Sequence, residues 1–168
     1  MSGKLLLFCG IPGSGKTTIA RLVAKNYPGS VHIQTDIIRA MITQPNFNME
    51  ESELVYQACV AAAKEALGTG RLVILDATFG TKRRRESTLS ALARHYSSAD
   101  VVHVKCDLEV ALRRNFARPN GAAVPEASVR SIHSMFEAPE EAITVDATTT
   151  EPPAAARTIL QAIIGSAA

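Results

Sequence analysis

An α/β fold built on a five-stranded parallel sheet, with helices on both faces, is predicted by three features of the sequence. Five apolar runs, Leu5 to Cys9, Val31 to Gln34, Leu72 to Leu75, Val101 to Lys105 and Ile143 to Val145, are short and bounded by turn or charged residues. Runs of this kind, rich in aliphatic and β-branched side chains, mark strands buried on both faces. Stretches with helical apolar spacing lie between them, and such alternation gives a parallel sheet in three layers. A glycine-rich stretch, Gly10 to Thr17, follows the first run directly, at the carboxyl end of a strand, where sheets of this type hold their ligands.

The first element after strand one is therefore Gly10-Ile11-Pro12-Gly13-Ser14-Gly15-Lys16-Thr17, which spells G-x-x-x-x-G-K-[ST], the phosphate-binding loop of nucleoside triphosphate enzymes. Glycines at 10, 13 and 15 reach backbone angles closed to other residues, so several N–H groups point inward at phosphate oxygens. A helix beginning near Gly15 and running through Thr18-Ile19-Ala20-Arg21-Leu22-Val23-Ala24-Lys25 adds its positive end. Lys16 supplies a mobile charge for the outer phosphates, and the Thr17 hydroxyl suits Mg²⁺. Gly10, Gly13, Ser14, Gly15, Lys16, Thr17 and Thr18 are thus the expected nucleotide-binding set.

The second run ends in Gln34-Thr35-Asp36-Ile37-Ile38-Arg39. Asp36 reads equally as a helix cap and as a carboxylate that accepts a proton from an acceptor hydroxyl. Arg39, three residues on, shares its helical face and could pin a phosphate or carboxylate. In the following helix, over Glu51 to Leu67, Leu54, Ala58, Ala61 and Ala62 are expected to share the buried face. The third run, Leu72 to Leu75, ends in Asp76, placed to face the water shell of a metal bound through Thr17. Next comes Thr81-Lys82-Arg83-Arg84-Arg85. If Thr81 caps a helix, four cations crowd its positive end, which favours anion binding by one or two of them as much as a solvated charge run.

Leu89, Leu92 and Tyr96, then Leu108, Leu112 and Phe116, mark the next two helical faces. Arg114 and Arg118 rise on one side of the latter helix, Pro119-Asn120-Gly121 breaks it, and Arg130 follows on a short helix with Val129, Ile132 and Phe136. An Arg-bearing flap in this position would close over the γ-phosphate and exclude water. Ala147 to Ala156 is a loop, and Ile159, Leu160, Ile163 and Ile164 stripe the last helix.

The steps Gly10 to Thr17, Asp36-Ile37-Ile38-Arg39 and Asp76-Ala77-Thr78 resemble the P-loop kinase group of polynucleotide 5′-hydroxyl kinases, with relatives among zeta-toxin-like, seryl-tRNA and small-metabolite kinases. Arg83 and Arg84, Arg114-Asn115 with Arg118, and Ala123-Val124-Pro125 with Val129-Arg130-Ser131 extend the likeness from Leu5 to about Val145. The resemblance implies a P-loop NTPase kinase-type three-layer sandwich with an Arg-bearing lid over about 113–135. It implies that Asp36 is the general base and that Arg39 grips an acceptor phosphate. It places Thr78 on the acceptor side, Arg84 as a further substrate contact, and Arg114, Arg118 and Arg130 in the lid. Some members have a second Asp after the first; here Ile37 stands there. Phe136-Glu137-Ala138-Pro139 is similar to a step in seryl-tRNA-kinase-like relatives.

Together these readings predict one domain over residues 1–168, an ATP- and Mg²⁺-dependent kinase of a hydroxyl. The 5′-OH of RNA or DNA is the first acceptor, a small-metabolite or aminoacyl-tRNA hydroxyl the second, and a nucleotide-dependent switch ATPase ranks third. Composition agrees and sets bounds: 46% hydrophobic and 20% charged residues describe a globular chain, and the apolar runs are too short to span a membrane. A start of Met1-Ser2-Gly3-Lys4 directly before a strand leaves no signal peptide, so a cytoplasmic location is expected. A net charge of +2 neither demands nor excludes a nucleic-acid partner, and only 5% aromatic residues leave no evident base-stacking platform, which fits a small acceptor or an enzyme that grips only a terminal nucleotide. Cys9, Cys59 and Cys106 read as reduced packing residues, the four histidines as structural or surface groups, and no protein partner is evident.

Overall fold

A computed structural model of the chain describes residues 2–42, 49–119 and 123–165. The elements run β1 (Gly3–Cys9), α1 (Lys16–Asn26), β2 (Val31–Gln34), α2 (Thr35–Ile42), α3 (Met49–Gly68), β3 (Leu72–Asp76), α4 (Lys82–Leu92), β4 (Tyr96–Lys105), α5 (Leu108–Phe116), α6 (Glu126–Ser134), β5 (Ile143–Asp146) and α7 (Pro152–Gly165). The strands form one parallel sheet in the order β2-β3-β1-β4-β5. The fold class read from the sequence is the one observed. The expected runs all sit within strands, and β4 begins earlier, at Tyr96, in register with Gly3.

Alternation along β1 divides the core. Leu6 and Phe8 point to one side with Ile19, Ala20 and Val23 of α1 and Ile159 and Ile163 of α7. Leu5, Leu7 and Cys9 point to the other, against Val55, Cys59, Ala63 and Leu67 of α3 and Leu92 of α4. The result is the three-layer sandwich, with β1 at its centre carrying the phosphate-loop sequence to the sheet's carboxyl edge.

Helical faces differ from expectation in α3, α4, α5 and α7: Tyr96, expected on the α4 face, begins β4, and Ile164 of α7 is 61% exposed. In α3 the buried stripe is Val55, Cys59, Ala63 and Leu67, while Leu54 is 48% exposed, so the expected face is off by one position. In α5 the inward residues are Ala111 and Asn115, and Phe116 is 87% exposed. The backbone of α5 also passes close to the loop: a Cβ on Gly13 would lie 2.1 Å from the Ala111 carbonyl oxygen, so only glycine fits at that position. Among the described residues no helix is long and apolar enough to cross a membrane.

The three cysteines are free and buried. Burial pushes the Cys9 and Cys59 thiols up to about 11. Because the thiolate is the reactive form, both are expected to resist a thiol reagent at pH 8 in the native protein and to react at once in guanidinium. A colorimetric thiol titration checks this, and fast native labelling of either would contradict the packing described.

Candidate active site at the carboxyl edge of the sheet

The loop between β1 and α1 is held by backbone hydrogen bonds. The Gly10 N–H donates to the Thr78 carbonyl (3.1 Å), and the Ser14 N–H donates back to the Ile11 carbonyl (3.2 Å). Gly13 and Gly15 take φ values of 82° and 95°, in the left-handed region that favours glycine. Gly15 sits as the residue before α1, so the free N–H groups of that helix open into the space beside it. A Cβ on Gly15 would meet no atom within 4 Å, whereas one on Gly10 would strike the Val104 carbonyl. The loop is thus pressed against the protein on one side and open on the other.

Lys16 is 8% exposed, and its Nζ donates to the Ile11 carbonyl at 2.8 Å. Burial lowers its pKa from the ordinary lysine value, the Asp76 and Asp36 carboxylates work against that fall, and the Arg118 guanidinium adds to it. All three groups line one cleft with the lysine. The buried Ser14 Oγ has no hydrogen-bond partner among the described residues. An orphaned buried hydroxyl, an open glycine and an under-compensated buried ammonium fit a phosphate-bearing ligand in this cradle.

A cleft of about 370 Å³ adjoins the loop and is lined by Lys16, Thr17, Asp36, Arg39, Asp76, Thr78 and Arg118, among others. Seven of the residues singled out in the sequence are thus brought together. Asp36 lies exposed in the first turn of α2 and, among the described residues, makes no capping hydrogen bond. Asp76 ends β3, 5% exposed, with its Oδ2 3.2 Å from His32 Nε2 on β2. Thr35 Oγ1 donates to the Asp76 carbonyl at 3.3 Å, tying the start of α2 to the end of β3. Arg39 donates to Glu51 Oε1 (2.5 Å) and to Ser52 Oγ (3.4 Å) on α3. Thr18 is exposed on α1 beside the loop.

Other expected residues lie elsewhere. Arg84 donates to Glu53 Oε2 at 2.7 Å and covers the Tyr56 ring at 4.5 Å, in a separate groove between α3 and α4. Arg85 is buried, and its Nη1 donates to the carbonyl of Phe79 (2.8 Å), a residue at φ 42°. Thr81 does cap α4, accepting from the Arg84 N–H at 3.2 Å, and the Glu137 carboxylate accepts from the Lys82 N–H at 2.5 Å. A carboxylate from a distant segment thus occupies the positive helix end, and Lys82, Arg84 and Arg85 each have a partner within the chain. Arg114 donates to the Ala147 carbonyl (2.9 Å) past β5 and reaches Cys106 Sγ (3.6 Å). Arg130 pairs with Glu126 and Glu109 on the outer face and does not line the cleft. The chain break expected at Asn120 and Gly121 lies outside the described residues.

His32, Glu51 and Ser52 were given no site role in the sequence reading, and Asn115 entered it only as part of the resemblance. Asn115 is 3% exposed, and its side chain accepts from the Val124 N–H (3.1 Å) and donates to the Val124 carbonyl (2.7 Å). This double latch holds the segment before α6 against α5, and Val124 and Pro125 of that segment, with Ser128 of α6, wall the cleft. A lone amide on the inward stripe of α5 was the available signal. Asn115→Leu is expected to cost about 1–2 kcal/mol by leaving two half-buried backbone groups of Val124 without these bonds, read as a lower midpoint in urea. An unchanged midpoint would contradict the latch.

A glycine-rich loop, an invaginated lysine and strand-end carboxylates at the edge of a parallel sheet define a P-loop nucleotide-binding protein of the α/β class. Residues 5–139 match the model of the family AAA_33, described as an AAA domain, and the chain belongs to that family. It is 29% identical over 153 residues to an adenylate kinase of Wolinella succinogenes, covering 81% of this chain and 79% of that one. It is 32% identical over 133 residues to an uncharacterized protein of Mycobacterium tuberculosis, of which it spans 26%. The fold matches that of the Mycobacterium tuberculosis APS kinase CysC with a TM-score of 0.78 at 19% identity, over 97% of this chain and 98% of that chain. It also matches a gluconokinase from Sinorhizobium meliloti with a TM-score of 0.69 at 17% identity, over 99% and 94%.

Proposed function

We propose that residues 1–168 form one kinase domain that moves the γ-phosphoryl group of ATP to the hydroxyl of a small metabolite. The observation that carries this reading is one cleft holding the Asp36 carboxylate together with Lys16, Thr17, Asp76 and Arg118. Lys16 and the loop amides would grip the β and γ phosphates. Thr17 and Asp76 would hold Mg²⁺, which when bound neutralises charge on those phosphates. Their hydroxyl and carboxylate are the oxygen ligands that this hard cation takes, and both line the cleft.

On the acceptor side, Asp36 takes the proton of the attacking hydroxyl as its oxygen bonds to the γ phosphorus and the bond to the bridging oxygen breaks, releasing ADP. Arg118 neutralises the charge that spreads over the transferring group, and the Asn115 latch holds the wall that keeps water out. Arg39 and Thr78 contact the acceptor.

The 5′-OH of RNA or DNA, first in the sequence reading, gains nothing from the comparisons. The likeness to an adenylate kinase, an APS kinase and a gluconokinase supports a small molecule instead. The test is transfer of labelled γ-phosphate from ATP·Mg²⁺ to metabolites, nucleosides, seryl-tRNA and 5′-hydroxyl oligonucleotides. Label on a small molecule is the expected result. Label on an oligonucleotide end restores the first reading, and phosphate released only to water promotes a switch ATPase.

A further inference from the structure

We infer that His32 is a positioning residue for phosphoryl transfer: its ring N–H holds the Asp76 carboxylate in the orientation in which it takes the divalent cation. The inference rests on the reading of Thr17 and Asp76 as the metal's ligands, and deepens it.

Side chains alternate along β2, the edge strand beside β3. Val31 and Ile33 turn to the core shared with α3, which puts His32 and Gln34 on the opposite face. Leu72 and Ile74 of β3 point to that same face, and the alternation carries Asp76 there with them. His32 stands opposite Ile74 and Gln34 opposite Asp76, so the imidazole leans one pair along the sheet to reach the carboxylate. The contact, Nε2 to Oδ2 at 3.2 Å, is the one hydrogen bond made to that carboxylate among the described residues. Both side chains are buried, 10% and 3% exposed. A carboxylate only accepts, so Nε2 carries the proton, as it can in the neutral ring as well as in the charged one.

An aspartate carboxylate turns about its last torsion with only a broad, two-fold preference. In a cation site that turn decides which oxygen meets the ligand. His32 sets it by holding Oδ2, and the Thr35 hydroxyl, donating to the Asp76 carbonyl at 3.3 Å, steadies the backbone behind it. Asp76 lines the cleft with Thr17 and Lys16, and Oδ1 is left for what binds there. Lys16, whose pKa the same carboxylate holds up, donates to the Ile11 carbonyl. Lysine and aspartate thus stay available as separate groups, one for phosphate and one for metal.

A matched pair of variants reads the N–H alone. Gln sets an amide nitrogen at the place of Nε2 and still donates, whereas Met has nearly the same length and cannot. Calorimetry measures binding of a non-hydrolysable ATP analogue with Mg²⁺ and with EDTA, and electron paramagnetic resonance counts Mn²⁺ held by the protein–analogue complex. His32→Met is expected to bind Mn²⁺ about tenfold more weakly than His32→Gln, the usual loss when the partner of a metal ligand is removed, while both bind the metal-free analogue alike. The Mg²⁺ concentration for half-maximal transfer of labelled phosphate is expected to rise by the same factor. Should His32→Met not fold, judged by its thermal melt, His32→Leu takes its place. Equal Mn²⁺ affinity in the two variants, or equal losses with and without metal, makes His32 a packing residue and overturns the inference alone, provided Asp76→Asn loses the metal's contribution. An Asp76→Asn protein that keeps that contribution in full overturns the reading of Asp76 and the inference with it.

Discussion

Lys16→Met is expected to lower phosphoryl transfer by about 10²–10³-fold, the loss typical of one preorganised electrostatic contact to developing charge, while raising the melting temperature of the ligand-free protein. The two effects have one cause. The ammonium is 8% exposed, and burial lowers its pKa, so the empty site holds a charge that the fold does not fully compensate. Methionine keeps the length and volume and removes that charge. The sign with pH follows. The unfolded chain binds the lysine proton more tightly than the folded one, so stability rises with pH through the window from the lowered value up to the ordinary lysine value. That rise belongs to the wild type and should vanish in Lys16→Met. Calorimetric melts across this alkaline window, beside the transfer assay, make the check. A variant that melts lower and still transfers phosphate would show that Lys16 is a packing residue.

Legibility in the sequence followed the range of the interaction. The strands and the phosphate loop announce themselves in consecutive residues, because pleat, turn and helix start are local properties of the backbone. The α3 face was misjudged because Ala58, Ala61, Ala62 and Ala63 are chemically identical candidates for burial, and which of them turns inward depends on the helix's docking on β1 and β3. Phe116 looked like the apolar anchor of α5. Ala111 and Asn115 turn inward instead, and the partner of Asn115, Val124, lies in a later segment that no local pattern records.

In the site, the loop residues, Asp36 and Asp76 were legible from their positions at strand ends. Their partners were not. His32 meets Asp76 across two neighbouring strands, and Arg39 meets Glu51 from one helix to the next. Arg84, Arg85 and Lys82 looked available for an anion because Glu53, the Phe79 carbonyl and Glu140 lie far from, or unmarked in, the surrounding sequence. Charge runs are read poorly from sequence because compensation is a tertiary event.

Asp36→Ala is expected to lose about 10²–10⁴-fold in transfer to the acceptor, the usual contribution of a positioned general base, with little change in the melt. The carboxylate is exposed at the start of α2 and, among the described residues, makes no hydrogen bond that the fold would miss, so truncation should shift stability by no more than about 0.5 kcal/mol. A competing account is that Asp36 serves only as a counter-charge, since it is one of the carboxylates holding up the Lys16 ammonium. The two accounts separate on Asp36→Asn and on nucleotide affinity. Loss of a counter-charge weakens or strengthens ATP binding and alters slow hydrolysis and transfer together, because all three depend on Lys16. Loss of a base leaves the affinity for ATP near wild type and removes transfer selectively, since only the acceptor hydroxyl has a proton for Asp36 to take. Titration of a non-hydrolysable ATP analogue beside the transfer assay distinguishes them. Equal losses in hydrolysis and transfer would remove Asp36 from the chemistry and leave it as the electrostatic partner of the phosphate-loop lysine.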